Sequence, residues 1–184
     1  PISSVLDAAS GFVSRLNARD QAGVVTFATH AELERGLFGD RTVVRDIVEN
    51  LSIAPREEVG STNTGDAVAI ASEEFVSPRH NRDARKVLVL LTDGLANAPG
   101  DDAEGYALAE AEDIKGEGVT VFTIGLGQSV NKPFIEEMAT SKEHSFFAAQ
   151  SSTLDNIYRT ISSAICEDGP AIIDIIPKTP GSLQ

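Results

Sequence analysis

The chain holds one cysteine, one methionine and no tryptophan in 184 residues, and only 5% of it is aromatic. A single cysteine cannot close an internal disulfide. With 3 histidines scattered along the sequence, no Cys/His set has zinc-site spacing, and a soft-metal site is excluded by count. Bases are scarce as well: 15 Lys and Arg stand against 28 Asp and Glu, a formal net charge of -13. Binding nucleic acid needs clustered cations to neutralise phosphates, so this balance argues against it. No apolar run approaches the ~18 residues of a membrane-spanning helix, and no basic-then-apolar leader opens the chain. Pro1 is not an initiator methionine, so the missing leader says nothing about compartment. The acid excess fits a soluble extracellular protein, a cation binder, or plain solubility.

What is present is an ordinary globular composition, 41% hydrophobic and 23% charged, in a length that suits one domain with a real core. The most informative stretch is Lys86-Val-Leu-Val-Leu-Leu-Thr-Asp-Gly94. An unbroken aliphatic run fits a strand covered on both faces. Ligands in such sheets sit beyond the carboxyl ends of the strands, which puts Asp93 where chemistry happens.

Periodicity fills in the rest. Ile2, Val5, Ala8, Ala9, Phe12, Val13 and Leu16 recur at helical spacing, so the chain opens inside an amphipathic helix. A strand over Gln21 to Phe27, a weaker edge strand over Ala31 to Phe38 and a helix over Thr42 to Leu51 follow. Ser61-Thr62-Asn63-Thr64-Gly65-Asp66 caps a helix running through Phe75. Helices over Glu104 to Glu117, Lys132 to Ala139 and Thr153 to Ile165 alternate with strands over Val119 to Ile124 and Ser145 to Ala148. Strands separated by helices of this length predict an α/β fold, a three-layer, Rossmann-like and mainly parallel sheet with helices on both faces. The domain is expected over residues 1–166. After Cys166, Glu167-Asp168-Gly169-Pro170 breaks the pattern, and residues 167–184, with the apolar run Ala171 to Ile176, read as a linker or terminal strand leading to a further domain.

In such a sheet two loops converge at the carboxyl side, Gly60 to Asp66 and Thr92 to Asn97. Their hydroxyls and carboxylates are hard oxygens suited to Mg²⁺, Mn²⁺ or Ca²⁺. Thr62 and Asp93 are the candidate ligands, with Ser61, Thr64, Asp66 and Gly94 as candidates for the layer behind them. Each has a plainer reading: helix capping for Thr62 and Thr64, a backbone-bonded loop acid for Asp93, and a favourable helix-dipole charge for Asp66. Enzyme signatures are thin. Gly125-Leu-Gly127 lacks the third glycine of a dinucleotide loop, no phosphate-binding Gly-x-x-x-x-Gly-Lys-Ser/Thr exists, and His30, His80 and His144 read as surface histidines without a nucleophile beside them. The chain is therefore expected not to be an enzyme.

GSTNTGDAV followed by KVLVLLTDGLAN, flanked by QAGVVTFAT and GVTVFTIGLG, resembles the von Willebrand factor A domain from Pro1 to about Ile165. In that family a metal-ion-dependent adhesion site takes oxygens from an Asp-x-Ser-x-Ser loop after the first strand, a Thr from a second loop and an Asp from a third. The resemblance gives Thr62 and Asp93 the last two roles. It implies a protein-binding module, extracellular or at the cell surface, among other domains of a longer chain and without direct membrane insertion. Its Mg²⁺ would be completed by a carboxylate from a protein ligand; the rival is an interaction scaffold whose metal is structural or absent.

One part of the family pattern is missing. No Asp-x-Ser-x-Ser occurs in this sequence, and the resemblance has the chain start just after the first strand and its metal loop. The sheet would then lack a central strand, and each buried backbone group left unsatisfied would cost about 1–3 kcal/mol. Either Ala171 to Ile176 fills that slot, with Pro177 and Gly181 standing where the metal loop has Asp and its second Ser, or the domain is truncated and the run is a tail beyond it. The resemblance also offers Cys166 a disulfide partner in the absent segment; a lone reduced thiol is the alternative.

Overall fold

The computed structural model describes residues 2–52, 60–92, 95–128, 130–165 and 171–177. Its elements run α1 (Ile2–Arg15), β1 (Gln21–Phe27), β2 (Ala31–Phe38), α2 (Arg41–Glu49), α3 (Thr64–Val76), β3 (Lys86–Thr92), α4 (Ala103–Gly116), β4 (Thr120–Leu126), α5 (Lys132–Met138), β5 (Ser145–Ala148), α6 (Leu154–Ile165) and β6 (Ala171–Pro177). The strands form one sheet in the order β2-β1-β6-β3-β4-β5. Only the β1–β2 hairpin is antiparallel. This is the α/β arrangement the periodicity predicts, with element ends moved by a residue or two where caps decide them. Helix α2 starts at Arg41 because the Asp40 side chain accepts the Thr42 N–H at 2.9 Å.

Of the two readings of the last apolar run, linker or terminal strand, the structure shows the strand, and it fills the central slot. Strand β6 lies in the centre of the sheet, parallel to β1 on one side and β3 on the other, with Ile173 opposite Gly23 and Leu88. A run with no polar alternation can bury both of its faces, and a gap between two parallel strands demands that. Ile173 and Ile175 join the core built with Ala67, Val68 and Ala71 of α3 and Ala107 and Ala111 of α4. Ile172 and Ile176 join the opposite core, with Phe12 of α1 and Tyr158 and Ile161 of α6. All four isoleucines are buried. Cys166 and residues 178–184 lie outside the described residues.

Asp174 interrupts this strand, and it has a partner. The Tyr158 hydroxyl lies 3.4 and 3.3 Å from its two carboxyl oxygens, and the Tyr158 ring packs on Phe12 with centroids 4.9 Å apart. Burial, only partly offset by that hydrogen bond, pushes the Asp174 pKa up to about 7.

A second buried acid locks the edge strand to the helix layer. Glu74 of α3 is 2% exposed and accepts the Leu37 N–H of β2 at 2.8 Å. Arg79 donates to it from Nε at 2.8 Å and from Nη2 at 2.6 Å. Burial opposes the charge of Glu74, but Arg79 and the Leu37 amide outweigh it and hold the carboxyl below its ordinary pKa.

Candidate functional site

The carboxyl ends of the parallel strands form one rim of the sheet, and two loops meet there. The first, residues 60–66, leads into α3. It is pinned to the end of β1 through Asn63, whose N–H donates to the Ala28 carbonyl at 2.8 Å and whose Nδ2 donates to the Thr29 carbonyl at 3.0 Å. Asn63 also caps α3, accepting the Asp66 N–H at 3.2 Å. An Asn at this position satisfies one of the orphan amides of the first helical turn while its own amide group holds the neighbouring strand.

The second loop follows β3 and is clasped to the first by Asn97. Its Oδ1 accepts the Thr62 N–H at 2.8 Å, its N–H donates to the Thr62 carbonyl at 3.1 Å, and its Nδ2 donates to the Gly60 carbonyl at 2.7 Å. The convergence expected from the sequence is thus present, and a side chain as well as backbone holds it. Thr62 is anchored through its backbone, which leaves its hydroxyl uncommitted among the described residues. Thr64 is fully buried, and its Oγ1 has no hydrogen-bond partner among the described residues. Thr92, buried at the end of β3, leads directly into Asp93 and Gly94. Those two lie outside the described residues.

Asp66 is engaged on both oxygens. Asn63 Nδ2 donates to Oδ2 at 2.6 Å and the Tyr106 hydroxyl of α4 donates to Oδ1 at 3.1 Å. It therefore braces the loop against the neighbouring helix. Ser61 is half-buried. Burial and the Asp66 hydrogen bond raise the Tyr106 pKa, which keeps the phenol a neutral donor.

Three residues that carry this geometry, Asn63, Asn97 and Tyr106, are not among the site candidates taken from the sequence. Tyr106 had one readable signal. Gly65 sits in the first turn of α3, where glycine is a poor helix former, and a Cβ there would lie 2.3 Å from Tyr106 Cδ1. Gly65→Ala is therefore expected to displace the ring, break the Tyr106–Asp66 bond and cost about 1–3 kcal/mol. Chemical denaturation of the variant, set against Tyr106→Phe, measures it; an unchanged midpoint would refute the brace.

Of the three histidines, His30 is exposed and His144 packs edge-on against Phe122 at 4.6 Å between centroids. Ser141 Oγ lies 2.7 Å from His144 Nδ1, yet it also donates to Glu143 at 2.6 Å. The serine, not the histidine, stands in the middle, which is the wrong order for a nucleophile–base–acid relay. His80 and His144 are both half-buried. Among the described residues no helix is long and apolar enough to cross a membrane.

Comparison with known proteins places the chain. The model of the von Willebrand factor type A domain matches residues 1–160. Cochlin from Bos taurus and cochlin from Homo sapiens are each 26% identical over 157 residues, covering 85% of this chain and 26% of their own length. The chain thus spans about a quarter of the curated relatives it matches. Among solved structures, proximal thread matrix protein 1 from the mussel byssus superposes with a TM-score of 0.76 at 26% identity, over 89% of this chain and 40% of that one. A further structure of that mussel protein, described as having a zinc-occupied metal-ion-dependent adhesion site motif, gives 0.74 at 27% identity over 89% of this chain and 42% of that one. The chain belongs to the von Willebrand factor type A domain family.

Proposed function

We propose that this domain is a protein-binding module of the adhesion type, whose ligand face is the rim carrying Thr62 and Asp93. The observation behind this reading is the Thr62–Asn97 clasp. It holds the second loop through backbone and amide groups and leaves the Thr62 hydroxyl without a partner among the described residues, as the buried Thr64 hydroxyl also is. Hydroxyl oxygens at this rim are suited to a hard divalent cation, and a cation held by few carboxylates stays electrophilic enough to take an acidic group from a partner. Domains of this family serve in protein–protein interaction within larger proteins, and we extend that role to this chain, with no catalytic task and with further domains beside it. An extracellular or cell-surface setting is supported by the likeness to a byssal thread matrix protein.

The donor set by itself does not fit a tightly held ion. Among the described residues no group of three or more His, Cys, Asp or Glu could hold a metal, and Thr62 with Asp93 would leave most of an octahedral shell to water. Titration calorimetry with Mg²⁺ is therefore expected to give a dissociation constant weaker than ~1 mM, since two protein oxygens add little over the free hydrated ion. A submicromolar constant would sink this. Replacing the residues that follow β6 with Asp-x-Ser-x-Ser should create tight, Mg²⁺-dependent binding of an acidic partner, because β6 occupies the central position between β1 and β3, and Asp93→Ala should then abolish that binding with the melt unchanged.

A metal-independent scaffold is the second reading, favoured by one observation. The central slot is taken by β6, whose last residue, Pro177, is in register with Phe27 at the carboxyl end of β1. A proline offers no side-chain oxygen there. Partner binding that is indifferent to a chelator would select this reading.

A further inference from the structure

At the opposite end of the sheet, where α3 finishes and β3 begins, lies a cavity of about 500 Å³ lined by Phe75, Val76, Ser77, Pro78, His80, Arg82 and Lys86. We propose that it is a binding site for a carboxylate carried on a short apolar stem. It shares no residue with the Thr62 rim, so the proposal stands apart from the function proposed above.

Charge is the first argument. On a chain with 28 acids and 15 bases, cations find carboxylates easily, and Arg79 in this same turn is committed to Glu74 at 2.6 Å. Arg82 and Lys86 make no ion pair among the described residues, and both line the cavity. The carbonyl end of α3 accounts for a cation nearby, and Arg79 already supplies one; two more converging on a shared space are unexplained by it. An anion between them would complete both.

The histidine is the second. His80 Nε2 is buried without a hydrogen-bond partner among the described residues, and its ring stands edge-on to Phe75 with centroids 6.2 Å apart. Burial first, and then the charge of Lys86, hold its pKa below the ordinary imidazole value, with the Ala84 backbone pulling the other way. Lys86 on β3 is the charge that acts on the ring, and Arg82, in the same turn as His80, lines the same cavity. A carboxylate beside Lys86 offsets the repulsion, so the ring takes up a proton more readily when the site is filled.

The cavity's shape and amides decide the ligand class. Phe75, Pro78 and Val76, the last 66% exposed, form an apolar wall, which suits a hydrocarbon stem. The turn has no nest of free amides to cradle phosphate oxygens. The Ser77 N–H is spent on the Glu74 carbonyl, that of His80 on the Ser77 carbonyl, and that of Arg79 on Ser77 Oγ.

Hexanoate is the probe, titrated into the whole chain near pH 6.5 and followed by NMR of the His80 ring and the Val76 methyls. Binding is expected with a dissociation constant on the order of 1 mM, as for a small ligand of this size. It should raise the His80 pKa by about 1. Lys86→Gln and Arg82→Gln, neither at a fully buried position, should each weaken binding about tenfold while melting as the parent does. Hexanol and inorganic phosphate should leave the His80 signal in place. The proposal is overturned if hexanoate moves neither signal at tenfold that concentration, if hexanol or phosphate binds as well, or if the variants bind like the parent.

Discussion

Cutting the chain after residue 166 is expected to abolish cooperative folding. The cut removes β6, and with it Ile172, Ile173, Ile175 and Ile176, all buried in the two cores. Each buried isoleucine is worth about 1.5–3 kcal/mol, so the four together are on the order of 6–12 kcal/mol. That is comparable to the whole stability of a typical domain, about 5–15 kcal/mol. Strands β1 and β3 would also lose their backbone partners on facing edges. Circular dichroism with a thermal melt decides the matter. Ile173→Asp, which keeps the chain's full length, should also fail to melt cooperatively, because it buries a charge between two strands. A cooperative melt in the trimmed chain would show that β6 is dispensable to the fold.

Asp174→Asn is expected to stabilise the protein at neutral pH and to flatten its dependence on pH. In the folded chain the Asp174 pKa is pushed up to about 7, against 3.8 for the free group. Between those values the fold keeps a proton that the unfolded chain has released. Stability is therefore greatest, as far as this group is concerned, below pH ~4 and falls as pH rises through about 7. The full difference corresponds to about 4 kcal/mol by linkage. Carboxylates held below their ordinary range act the other way. Glu74, against its own burial, is stabilised by Arg79 and the Leu37 amide, and its contribution is lost on acidification. The parent should thus be most stable on the acid side of neutrality. Asparagine keeps the shape, accepts the Tyr158 hydroxyl and carries no charge, so its melting temperature should exceed the parent's at pH 8 and match it near pH 4. Parallel curves for the two proteins would refute a buried, titrating Asp174.

The sequence by itself determined the layers and most of the site's raw material. The unbroken run Lys86 to Leu91 announced a doubly covered strand, and the Ser61 to Asp66 cluster announced a helix start at the rim. Both follow from local rules, namely side-chain period and capping, which operate over a few residues and need no knowledge of the rest of the chain. What tertiary structure decided were the pairings between distant segments. Ala171 to Ile176 reads more readily as a tail beyond the domain than as a core strand; its place between β1 and β3 depends on a gap that exists only once the other strands are assembled. Asp174 reads as an interruption until Tyr158, sixteen residues earlier on α6, supplies its hydroxyl. Asn97 and Tyr106 brace the Thr62 loop from 35 and 40 residues away. Hydrogen bonds over such separations leave no periodic trace, because they join one side chain to one backbone or carboxyl group and repeat nowhere along the chain.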